Sequence, residues 1–213
     1  ATYSLCHAKN VTDFNSHISL IAAPGLNIMY GDATGNIAWT TSGKLYKHDT
    51  GVNTNFILDG ATGKDDVKEY IDFSKNPQAL NPSWNYVYSA NNQPEAIDGF
   101  LYPGYYLPED RAKRIFDLLE PKNNWTKEDV SKMITDNISS KSPAIVVDLI
   151  ASVDYNSLSE NGKKGYSILK SWKGTNELQD VAPTIYNKWI YLYLLINSPS
   201  HLRHFTLLVT HSL

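Results

Sequence analysis

A single cysteine, two methionines and the lack of any long apolar run set the first limits on this 213-residue chain. With Cys6 alone, neither an internal disulfide nor a thiolate cage around a metal can form. The most apolar stretch, Trp189 to Ile196, falls well short of a bilayer span, so no membrane role is expected. Residues Ala1 to Asn10 carry no basic segment leading into an apolar one and do not read as a signal peptide. Neither charge sign dominates: 19 Lys and Arg against 22 Asp and Glu leave a formal net charge of −3. The basic residues are scattered rather than striped, which gives nucleic acid no electrostatic reason to bind. Repeats and low-complexity segments are absent. His7, His17, His48 and His211 lack metal-ligand spacing and read as surface or half-buried residues. Ser4 and Ser16 stand in no Gly-x-Ser-x-Gly elbow.

What is present is the composition of a globular protein, 42% hydrophobic. Val11 to Ala22 fits a short helix with Phe14, Ile18 and Ile21 on one face. Strand, tight turn and strand follow across Ala23–Tyr30, Gly31–Gly35 and Asn36–Gly43, with Asp32 and Gly35 as the turn residues. Beyond a glycine-bearing stretch with a short strand expected at Asn55 to Leu58, the breaker Leu80-Asn-Pro-Ser83 precedes a strand at Asn85 to Ala90. From Pro108 the pattern is helical. Pro108 suits a first helical turn, Thr126-Lys-Glu-Asp129 resembles a capping box, and Pro143 begins a segment holding Val146, Val147 and Ile150. A further helix is expected at Leu158 to Trp172. The stripe Ile185, Trp189, Leu192 and Ile196 marks a last one across Val181 to Ile196. Strands first and helices later imply an α+β fold, with a strand-rich part over 1–106 and a mainly helical part over 107–213.

The most informative residues are Asn91 and Asn92, directly after the expected strand. A side-chain amide placed there can aim an N–H at a fixed point, as an enzyme requires where a carbonyl oxygen becomes negative. Asn-Asn is equally ordinary turn chemistry, so the flanking motifs carry the weight. These are Tyr30-Gly-Asp-x-x-Gly-Asn-Ile37, Ser42-Gly-Lys44, Asn81-Pro82, Ala90-Asn-Asn92 and Asp110-Arg-Ala-x-Arg-Ile115. In this order they resemble the penicillin acylase family of N-terminal-nucleophile hydrolases, from about Ala8 to Leu119. Trp172-Lys-Gly174 is similar to a further element of that family.

The resemblance implies part of an αββα sandwich, antiparallel strands followed by helices. It also implies an amidohydrolase that cleaves the linear amide of a small N-acyl compound, such as a penicillin or cephalosporin side chain or an acyl-homoserine lactone. In such enzymes a serine freed by self-cleavage attacks the carbonyl. Carried onto this chain, Asn91 is the oxyanion donor and Asn92 its structural neighbour. Arg111 matches an arginine that orients the site, and Leu26 an apolar acyl-pocket position. A turn cap, a solvated helix charge and a core residue are the plain alternatives for Asn91, Arg111 and Leu26.

Ala1 offers no nucleophile, so the serine is expected outside this chain. The chain then reads as an internal piece of a longer precursor, inactive alone, whose partner is the remainder of that precursor. No cofactor is expected. The structural calcium of the intact enzymes is not supported by Phe100 to Tyr106, where Asp98 is the only nearby acid. The family implies a periplasmic or secreted location. The reading from a different class is a non-catalytic module that stacks glycans or peptides on its aromatic residues, 12% of the chain.

Overall fold

The computed structural model describes residues 1–94 and 104–197. Asp98, the stretch before Gly104 and His211 lie outside the described residues. Two compact units are present, Ala1–Trp125 and Thr126–Leu213.

In the first unit, α1 (Thr2–Leu5) leads to α2 (Val11–Ile18), which begins where the Asn10 side chain accepts from the Asp13 N–H. The hairpin strands β1 (Asn27–Gly31) and β2 (Ile37–Thr41) follow. Next come a two-residue ribbon of β3 (Tyr46–Lys47) and β4 (Glu69–Tyr70), and then β5 (Gln78–Leu80). β2 is the centre of an antiparallel sheet ordered β1-β2-β5, with Met29 opposite Trp39 and Trp39 opposite Ala79. Alternation along β2 buries Ala38 and Thr40 on the face that meets α2. There the Phe14 and Tyr30 rings lie 4.7 Å apart, and Thr40 donates to Asn15 Oδ1. The other face carries Asn27, Met29, Trp39 and Ala79. The helix α3 (Asp110–Leu119) belongs to this same unit.

The family-like motifs prove to be the joints of this unit. Asp32 accepts from Thr34, Asn36 and Tyr30. Asn36 Oδ1 in turn accepts from Asn81 Nδ2, and Asn81 Oδ1 accepts from the Ile37 N–H, which ties the hairpin turn to the end of β5. Ser42, fully buried, accepts from the Leu26 N–H and donates to Pro24 O. Gly43, at φ 98°, lets Gly25 approach so closely that a Cβ at 43 would sit 3.1 Å from its Cα.

Two expected strands are absent. Asn55 to Leu58 is turn and coil with Phe56 and Ile57 exposed, because its polar groups close locally, Phe56 N–H onto Asn53 O and Asn55 N–H onto Asn53 Oδ1. Asn85 to Ala90 forms no ladder. The neighbouring place beside β2 is taken by β5. Asn85, at φ 62° and bonded back to Pro82 O, then turns the chain out of the sheet.

The second unit is helical: α4 (Lys127–Ile134), α5 (Ser142–Ala151), α6 (Glu160–Ser171) and α7 (Ala182–Asn197). Both bonds of the Thr126–Asp129 capping box form, Pro143 lies in the first turn of α5, and Ser159 caps α6. The core joins Val146, Ile150, Leu169, Trp172, Ala182 and Tyr186, with Ile185, Trp189 and Ile190 packed against it. The buried stripe of α7 therefore ends near Ile190. Leu192 and Ile196, expected to share it, are exposed, and so is Val147 of α5.

Candidate active site

After the turn at Asn85 the chain from Tyr86 to Ser89 belongs to no regular element, and it bends at Ala90. Ala90 is buried, and its N–H donates to Asn92 Oδ1 at 3.2 Å. Asn91 takes the left-handed conformation, φ 60°, which asparagine tolerates better than most residues. Its carbonyl accepts from the Leu107 N–H at 2.8 Å. Arg111, one residue into α3, reaches across: its Nη1 lies 3.3 Å from Asn91 Oδ1 and 3.5 Å from Ala90 O. Asn91 and Arg111, twenty residues apart in sequence, are thus brought together.

The chemistry of that pair fixes the orientation of the amide. A guanidinium has donors only, so the Asn91 atom facing it must be the oxygen. Nδ2 is then turned the other way, and among the described residues it donates to no acceptor. The result is a fixed N–H donor, exposed, on a backbone held by two further hydrogen bonds. Such a donor can meet an anion or a developing oxyanion without reorganising.

Beside it opens a cleft of about 640 Å³. One wall comes from the sheet, through Asn27, Trp39 and Ala79. The other comes from Trp84, Tyr86, Tyr88 and Asn92, and Phe116 of α3 and its C-cap residue Glu120 also line it. Asn27 organises the sheet wall, its oxygen accepting from Trp39 Nε1 and its Nδ2 donating to Ser89 Oγ. The Tyr86 hydroxyl donates to Glu120 Oε2 at 3.0 Å, and burial followed by that bond pushes its pKa up to about 12.

Leu26 does not join this arrangement. Its backbone is engaged with Ser42 and its side chain is half exposed, while its neighbour Asn27 is the residue that lines the cleft. The aromatic wall of Trp84, Tyr86 and Tyr88 is not apparent in the sequence, because Trp84 lies in the turn before Asn85 and the cleft takes Val87 and Ser89 as well. Among the described residues no three of His, Cys, Asp and Glu converge on a point. No helix among them is long and apolar enough to cross a membrane.

Similar proteins are known. A curated relative, penicillin G acylase of Escherichia coli, is 27% identical over 180 residues, covering 78% of this chain and 21% of its own length. A solved structure, a thermostable penicillin G acylase from Alcaligenes faecalis, superposes with a TM-score of 0.64 at 20% identity and covers 83% of this chain and 32% of its own; this is a likeness of fold. The chain therefore spans about a fifth of the length of the first and a third of the second. The family model described as penicillin amidase matches residues 1–201, and the chain belongs to that family.

Proposed function

We propose that this chain carries the oxyanion-stabilising part of an amidohydrolase, with Asn91 as the donor and Arg111 as the group that orients it. The observation that carries the reading is the Arg111–Asn91 contact, which engages Oδ1 and leaves Nδ2 without an acceptor among the described residues. The substrate is the linear amide of a small N-acyl compound, of penicillin or cephalosporin side-chain or acyl-homoserine lactone type. The nucleophile is the hydroxyl of an N-terminal serine contributed by the rest of the precursor, which is this chain's partner. Its own α-amine, which titrates near neutrality, takes the hydroxyl proton through a water. As the oxygen attacks, the carbonyl π electrons move onto oxygen, and Asn91 Nδ2–H donates to the new oxyanion. Collapse expels the amine, which takes up the proton. Water then attacks the acyl ester and releases the acid and the serine. Leu26 is retained as a contributor to an acyl pocket completed elsewhere in the precursor. A periplasmic or secreted location fits this family.

The test is made in the full-length enzyme. Asn91→Ala removes the donor and is expected to lower kcat about 10²- to 10³-fold with little change in KM. Asn91→Asp is nearly isosteric and keeps Arg111 paired, yet places a carboxylate where the oxyanion forms. It should lose at least as much activity as Asn91→Ala. A kcat within a few-fold of wild type for both variants removes Asn91 from the mechanism.

A further inference from the structure

The cleft beside Asn91 has a composition that amide hydrolysis does not require. Its walls hold the rings of Trp39, Trp84, Tyr86, Tyr88 and Phe116, and among the described lining residues Glu120 is the one charged side chain. Among the described residues no lysine, arginine or histidine lines it. Aromatic faces carry the negative end of the ring quadrupole, so they attract a cation and repel an anion. Glu120 adds to this from the end of α3, where the terminal carbonyls concentrate partial negative charge and the last turn holds no basic residue. One oxygen of Glu120 is engaged by the Tyr86 hydroxyl; the other has no partner among the described residues. Trp84 and Phe116, 53% and 44% exposed, leave ring surface open to a ligand.

We propose that this cleft binds a small organic ammonium ion carrying an aromatic or alkyl body, the body against the rings and the ammonium directed to Glu120. Charge complementarity selects this occupant. A neutral apolar molecule gains only burial there, and a carboxylate meets both the ring faces and Glu120 with the wrong sign. Binding needs neither the serine nor Asn91, so it stands apart from the proposed hydrolysis and is measured without turnover.

Calorimetric titration of the full-length protein with benzyltrimethylammonium, benzyl alcohol and benzoate tests it. The cation is expected to bind about tenfold or more tightly than the alcohol, the size of difference one good cation–π contact with a carboxylate behind it supplies, and benzoate most weakly. Glu120→Gln, at an exposed helix end, should bring the cation to within about threefold of the alcohol and leave the alcohol unchanged. Glu120→Lys should abolish cation binding and admit benzoate. Trp84→Ala should weaken cation and alcohol alike. Asn91→Ala should leave all three unchanged, which separates the failure of this site from the failure of the hydrolytic reading. The proposal is overturned if the alcohol matches the cation, if Glu120→Gln keeps the preference, or if no probe binds.

Discussion

An asparagine amide has nearly the same shape at both ends and opposite chemistry, so what matters at position 91 is which end is held. Arg111 holds the oxygen, and the same reasoning applies to the neighbouring carboxylate hub. Asp32 accepts hydrogen bonds from Thr34 and Asn36, then from Tyr30, and these keep its carboxyl well below the usual range despite a smaller opposing effect of desolvation. Because the folded value is depressed, the stabilisation is fully present above the unfolded value near 4 and is lost as pH falls through the folded one. Asp32→Asn should therefore lower the thermal midpoint by a constant amount above about pH 5, and the gap from wild type should narrow below about pH 4. A gap that is independent of pH would show that the ionised carboxylate is not what the turn uses. Asn91, Arg111 and Asp32 stand out in the sequence because each lies in a short motif, whereas the contact of Arg111 with Asn91 appears only in the fold. The cleft does not stand out. Trp84, Tyr86 and Tyr88 share it with Asn27, Trp39 and Ala79, residues of strands remote from them or paired only in the fold.

Elements divide along the same line. The helices announce themselves through local chemistry: Thr126 with Asp129, Pro143 in its first turn and Ser159 before Glu160. The strands β3, β4 and β5 did not, since each is two or three residues long and exists only through a partner remote in sequence. The far end of α7 failed for a related reason. Its apolar periodicity continues past Ile190, but the core it could pack against has ended. Trp172-Lys-Gly174 shows how a short motif joins elements. The Trp172 Nε1 donates to Thr175 O, its ring lies 5.3 Å from Tyr186, and the Gly174 carbonyl accepts from the Ser139 N–H. Gly174 is at φ 90°, and a Cβ there would run into the Ser139 carbonyl oxygen with Pro143 behind it. Both the backbone conformation and the backbone contact oppose any side chain. Gly174→Ala should destabilise the helical unit by about 2 kcal/mol or more, roughly 10 °C in its thermal midpoint. A shift of only a degree or two would mean that the loop relaxes away from Ser139 at little cost.

At the scale of the molecule, the sheet of the first unit has an edge, that of β1, with no paired strand among the described residues. The face toward α2 is closed by Phe14 and Ile18. β1 is an outer strand, and the apolar side chains beside it, Leu26 at 48% and Met29 at 40%, face outward. An outer strand flanked by exposed apolar residues is a template for another strand. In a chain that spans about a fifth of its Escherichia coli relative, the proposed occupant is the remainder of the precursor. The same surface should then drive self-association when this chain is produced alone. Sedimentation at increasing concentration is expected to show reversible association of the 213-residue chain. The double substitution Leu26→Lys, Met29→Lys should suppress it without altering the far-ultraviolet spectrum, since both positions are exposed and a lysine on an edge opposes pairing. The same pair, placed in the full-length precursor, should impair assembly and lower the yield of folded enzyme. If the isolated chain stays monomeric, and the lysines leave the precursor unaffected, then β1 is a true edge of the whole protein and its partner must dock elsewhere.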